Sequence, residues 1–196
     1  MEQSIIDNLP NILKNSIDTL KNISYDNIND EYMTNSQRTA IDFDKVKDDY
    51  STQNVINKPK SNDALYIAKN NIHYFIEFKN GNYRNLKKSD LMSKTCDSVY
   101  ILYDIKYPND NKYIERYIKC NQCIIDMVNF SKNYIVYILV YNSANNQKRQ
   151  NYNLRFYIKS NFGLNELERI LLKEVHIYDK NEFETKFING TIANEP

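Results

Sequence analysis

Apolar residues recur at three- and four-residue spacing from Ile5 to Ile23, through Leu9, Ile12, Leu13, Ile17 and Leu20, which predicts one amphipathic helix. Pro10 inside that stripe marks a kink or a fresh start. From Ser24 to Lys60 the pattern weakens, and a second helix is read over Ser36 to Tyr50. Two strands follow, Asp63–Ala68 and Ile72–Lys79, split by Lys69-Asn70-Asn71 and closed by Asn80-Gly81-Asn82. Leu86 to Cys96 reads as a short helix. The unbroken run Ser98 to Ile105 reads as a strand buried on both faces. Asn111 to Phe130 reads as a helix and Tyr134 to Tyr141 as the strongest strand. Asn142 to Asn153 is polar loop, and Leu154–Ile158 is a strand or a helical turn. A helix over Leu164 to Leu172, a strand over Val175–Tyr178 and a helix over Asn181–Ile188 complete the series.

This order predicts an α/β fold, a mixed central β-sheet with helices on both faces. A single domain over 1–196 is expected, divided into an N-terminal helical part (1–57), a core (58–142), a C-terminal α/β addition (143–188) and a flexible tail (189–196).

Composition changes this picture little. Hydrophobic residues make up 41% and charged residues 26%, with 3 Gly and 4 Pro, which argues against a loop-rich or disordered chain. The excess of Asn, Lys, Ile and Tyr, with 17 Tyr and no Trp, reads as the coding bias of an AT-rich genome. Net charge is +1, so no global basic field points to nucleic acid, although a local patch is compatible with it. No stretch reaches the roughly 18 apolar residues of a membrane span. The opening Met-Glu-Gln-Ser lacks a signal-peptide pattern. Three cysteines do not make a disulfide framework, and a cytoplasmic location is expected.

The candidate chemistry lies in the hairpin. Side chains alternate along a strand, so His73, Phe75, Glu77 and Lys79 share one face. With a three-residue loop at Lys69–Asn71, Ala68 pairs with Ile72 and Asp63 falls opposite Glu77. Two carboxylates that close repel unless a cation lies between them. Magnesium suits such a pair because it takes one or two carboxylates and keeps several waters. Lys79 would then stand beside the water and the developing negative charge. The carbonyl of Phe78 is a further candidate ligand. On the next helix Lys87 and Lys94 are seven residues apart, on one face with Leu91 between them, placed to hold phosphate or to contribute to the site.

Asp63, then Glu77-x-Lys79 in the Phe75–Gly81 strand, then the Lys87–Lys94 helix and Asp97–Leu102, resemble the PD-(D/E)XK nuclease superfamily. The resemblance runs from Lys58 to Asp104 and is nearest to small bacterial and phage members with a Phe-Ile-Glu-Phe-Lys-Asn-Gly strand. It implies a restriction-endonuclease-like core, with Asp63 and Glu77 (and the Phe78 carbonyl) holding Mg2+ or Mn2+ and Lys79 assisting hydrolysis. It also implies a phosphodiester substrate, DNA ahead of RNA, with defence, phage and toxin roles all open. The family's first-helix acid has no clear match; Glu31 is a candidate, with Asp18 and Asp42 as others. Asn62 stands where the family often has Pro. Many members keep the fold without the chemistry, so the alternative is an inactive binding module of inhibitor or immunity type, with a protein or nucleic acid as partner.

Other residues carry duller readings. Cys120-x-x-Cys123 lacks a second ligand pair, so it and Cys96 are read as core thiols, not zinc ligands. His73 shares the face of Glu77, and neither His73 nor His176 has a partner motif. Lys148 and Arg149 are read as solvated loop, and the tyrosines as packing residues.

Overall fold

The structure, a computed structural model, describes residues 1–54, 57–106, 120–146 and 151–193, with side chains described except at 106, 120–125 and 151–153. Eight strands are present among the described residues: β1 (Ile17–Thr19), β2 (Tyr25–Asp26), β3 (Glu31–Tyr32), β4 (Thr39–Asp42), β5 (Ala64–Ile67), β6 (His73–Lys79), β7 (Ile135–Tyr141) and β8 (Glu174–Asp179). Six of them form one sheet in the order β1-β4-β5-β6-β7-β8; β2 and β3 make a separate ribbon. Strands β1, β4, β5 and β6 run antiparallel in sequence, and β6, β7 and β8 are parallel. The expected mixed α/β sheet is therefore present. It draws β1 and β4 from the N-terminal part and β8 from the C-terminal addition.

The sheet has a core on each face. Leu65, Phe75, Tyr137 and Leu139 pack under Val46, Leu91, Leu102, Leu154 and Leu164. These five come from α4 (Phe43–Asn54), α5 (Lys88–Lys106), α7 (Asn151–Asn161) and α8 (Leu164–Ile170). On the other face Ala64, Tyr66, Ile76, Phe78, Ile138 and Val140 meet Leu20, Met33, Phe183 and Phe187. A period of two along β5, β6 and β7 separates these sets.

Several expected elements are corrected. The single helix over Ile5–Ile23 is broken into α1 (Gln3–Asp7), α2 (Asn11–Lys14), β1 and α3 (Leu20–Ile23). Pro10 has no N–H to continue a helix and stands at the N-cap of α2. Ile17, Asp18 and Thr19 instead pair with Ile41, Ala40 and Thr39 at the sheet edge. The helix expected over Ser36–Tyr50 begins only at Phe43, after β4, where the Asp42 carboxylate accepts the Lys45 N–H at 3.1 Å.

The strand expected over Ser98–Ile105 is the second half of α5. Leu91, Thr95, Ser98, Val99 and Leu102 are all buried while Cys96 and Tyr100 are exposed, which is helical and not alternating spacing. No Gly or Pro interrupts Lys88 to Lys106, so nothing stops the helix at Cys96. Of the helix expected over Asn111–Phe130, α6 (Cys120–Tyr134) is described and 111–119 lie outside the described residues. Leu154–Ile158 belongs to helix α7. After the short α9 (Lys180–Glu182), a π-helix runs from Phe183 to Ile192. Asn189 to Ile192, expected to be tail, complete it with Ile192 buried.

Candidate functional site

The hairpin places the site. Ala68 N–H donates to Ile72 O at 2.9 Å and Asn71 N–H to Ala68 O at 2.9 Å, closing a three-residue loop. Asn71 takes φ of 62°, a conformation Asn tolerates. The register Ala64↔Ile76, Leu65↔Phe75, Ile67↔His73 follows, and its continuation sets Asp63 against Glu77. Asp63 stands one residue before β5, and its N–H donates to Ile76 O at 3.1 Å. Helix α5 anchors the approach: Ser98 Oγ accepts the Asn62 N–H at 2.8 Å, and Asp97 accepts the Lys60 N–H at 2.9 Å.

The two carboxylates converge, and a lysine joins them. Lys94 Nζ lies 2.7 Å from Glu77 Oε1 and 3.3 Å from Asp63 Oδ1. Lys79 Nζ lies 2.6 Å from the same Glu77 oxygen. The Phe78 N–H donates to Asp63 Oδ2 at 2.6 Å, so Phe78 serves the site through its nitrogen by orienting Asp63. Glu77 has no solvent exposure, and its Oε2 has no hydrogen-bond partner. An unpaired carboxylate at this depth would be strongly disfavoured, so the two ammonium groups are what allow it to be charged.

Burial first, then the Asp63 carboxylate, pushes the Glu77 carboxyl above its ordinary range, while Lys79 and Lys94 pull it back. Burial works against the Lys94 charge, but Asp63 and Glu77 outweigh it and hold the ammonium well above its ordinary value. Two ammonium groups within 2.7 Å of one oxygen are the geometry of an ionised carboxylate, and we read the pair that way.

Two cavities flank this centre. One of about 390 Å³ is lined by Lys60, Lys79, Lys87, Asp90, Leu91 and Lys94, among others. Lys87, one residue before α5, and Lys94 within it line this same cavity. The second, of about 300 Å³, is lined by Asp26, Asp42, Asp44, Asp63, Phe78 and Asn80, among others. The site thus has a basic side and an acidic side.

Glu31 is not a first-helix acid. It lies in β3, 2.5 Å from Lys180 Nζ and 3.3 Å from Asn142 Nδ2. Asp18, in β1, accepts from the Thr19 N–H, Asn22 and Lys45. Asp42 caps α4 and lines the acidic cavity with Asp63.

Two residues at the site escaped the sequence reading. Asp44, in the first turn of α4, accepts from Ser61 Oγ at 2.5 Å and pairs with Lys47 at 2.7 Å. Burial raises its carboxyl pKa, but Lys47 and Ser61 lead a set of opposing contacts, including the charge of Lys94, that hold it below the ordinary value. Tyr137, opposite Phe75 on β7, is fully buried with an unpartnered hydroxyl. Burial, then Glu77 and Asp63, push its phenol well above the ordinary value. Nothing in the apolar run Tyr134 to Tyr141 marks Tyr137; only the pairing of β6 with β7 brings it here.

His73 is fully buried, with Nδ1 2.7 Å from Asn71 O and its ring against Phe130. Cys96 is a free, exposed thiol and not a core residue. The side chains of Cys120 and Cys123, and Lys148 and Arg149, lie outside the description.

Among the described residues, no three His, Cys, Asp or Glu side chains gather as a metal-binding group. The donor set is the Asp63 and Glu77 pair. Two hard oxygens, with the buried Glu77 Oε2 unpartnered, fit a magnesium-type ion that keeps most of its waters. They do not fit a structural zinc, which needs four ligands. No helix among the described residues is long and apolar enough to cross a membrane. Compared with known proteins, the chain matches no family model, no curated sequence and no solved structure.

Proposed function

We propose that this protein is a metal-dependent nuclease with a restriction-endonuclease-like core, hydrolysing phosphodiester bonds in DNA ahead of RNA. The observation that carries the reading is the convergence of the Asp63 and Glu77 carboxylates beside a lysine-lined cavity. Asp63 and Glu77 would hold Mg2+ or Mn2+, with the Phe78 carbonyl as the further candidate ligand. A bound divalent ion supplies polarisation of a phosphoryl oxygen and a lowered pKa of water.

The chain's own residues supply the rest. Phe78 N–H fixes one Asp63 oxygen and leaves the other toward Glu77. Lys79, partly exposed and held at Glu77, presents an ammonium where negative charge develops on phosphate oxygens. Lys87 on the cavity wall attracts the phosphate backbone without reading its sequence, while Lys60 there is paired with Asp90 at 2.5 Å.

One observation favours a second reading. Lys94 already bridges both carboxylates and, with Lys79, balances their charge, as a structural ion-pair cluster would in an inactive binding module. Cleavage assays on linear and circular DNA and on RNA, with Mg2+ or Mn2+, separate the two. Wild type is expected to cut, with Glu77→Ala and Lys79→Ala each slower by about 100-fold or more. No cleavage by folded wild type on any substrate would overturn the nuclease reading in favour of the binding module.

A further inference from the structure

Lys94 takes the place between two carboxylates that a divalent cation would take, and its side chain also lines the basic cavity. We propose that Lys94 is a resident counter-cation that leaves Asp63 and Glu77 when a divalent cation binds and swings into the lysine-lined cavity to contact substrate phosphate. The inference rests on reading Asp63 and Glu77 as the metal-binding pair.

The charges require a departure. Asp63 and Glu77 are balanced by Lys79 and Lys94. A divalent ion added to all four would leave a net double positive charge around a carboxylate with no solvent exposure, a costly arrangement. Lys94 is the group that must go, because it touches both carboxylates while Lys79 touches only Glu77.

It also has somewhere to go. The Lys94 side chain keeps 22% exposure, and its flexible four-carbon stem reaches the cavity that Lys60, Lys79 and Lys87 line. The helix beneath it stays in place, because Leu91, Thr95 and Ser98 are buried on the turns around it. The departing ammonium therefore adds a positive charge to the wall where a phosphate would lie. Metal entry and phosphate attraction become one event.

The test uses the wild-type chain. Mn2+ binding is followed by loss of the free-ion electron paramagnetic resonance signal. Lysine acylation by an N-hydroxysuccinimide ester is read by peptide mass spectrometry, with exposed Lys87 as internal reference. While it bridges two carboxylates Lys94 is protonated and shielded, so its labelling is low; saturating Mn2+ is expected to raise it about tenfold relative to Lys87. Binding of Mn2+ with no change in Lys94 labelling would overturn the displacement and leave the metal site standing. Absence of Mn2+ binding by the folded protein would overturn both. Lys94→Met gives a second reading, expected to bind Mn2+ about tenfold more tightly than wild type because the competing cation is gone; equal affinity counts against displacement.

Discussion

Glu77 Oε1 accepts from two ammonium groups while Oε2 has no partner, deep in a sheet face otherwise built of Phe75, Tyr137 and Leu139. Such a group makes stability depend on pH. Burial and Asp63 raise its folded pKa above the ordinary 4.5, so the folded state holds the proton more tightly than the unfolded chain. The stability contributed by that proton is complete below the unfolded value and is lost as pH rises through the folded value. Urea midpoints measured upward from pH 4.5 are therefore expected to fall in wild type relative to Glu77→Gln, which cannot ionise. Parallel curves would show that Glu77 titrates alike in both states. The residue types Asp63, Glu77 and Lys79 were legible as a candidate site because charges inside an apolar strand are costly without a partner. Lys94 was legible only as a residue that could hold phosphate or contribute to the site, and its bridging of the two carboxylates was not, since it comes from a helix 15 residues further along the chain than Lys79.

At the scale of elements, α5 does two jobs. Its Lys94 reaches the carboxylates, and its Asp97 and Ser98 hold the backbone that leads into Asp63. The apolar run Val99 to Leu102 suits a strand on local pattern alone. The burial of Thr95 and Ser98 and the exposure of Tyr100 reveal a helix instead. Leu102 is fully buried in the core under β6 and β7, so Leu102→Ala is expected to cost about 2–5 kcal/mol. Chemical denaturation checks this; a cost below about 1 kcal/mol would mean the helix does not pack there as described. The hairpin was the reverse case. Its loop length sufficed, because a three-residue loop sets Ala68 against Ile72 and a one-residue slip would turn Asp63 away from Glu77.

At the scale of the molecule, net charge near zero conceals a local asymmetry of a lysine-lined cavity beside an acidic one. If the proposed function holds, nucleic-acid binding through the basic wall weakens as salt rises, with a log–log slope set by the number of phosphates neutralised. Lys87→Ala is expected to weaken binding alike for all sequences and to reduce that slope by about one. Fluorescence anisotropy over a salt series measures it, and an unchanged slope would remove Lys87 from the contact surface.

The sequence by itself determined the α/β class, the strands β5, β6 and β7 and the Asp63–Glu77 alignment, because a period of two and a short loop are local properties. It misread 17–19 and 39–42 as helix and 98–105 as strand, because short apolar runs satisfy either period until neighbouring surfaces choose between them. Only the tertiary structure decided that β1, β4 and β8 join the same sheet and that Glu31 pairs with Lys180. It alone brought Lys94, Asp44 and Tyr137 to the carboxylates, because an electrostatic centre is assembled by burial and by contacts across elements that no local spacing records.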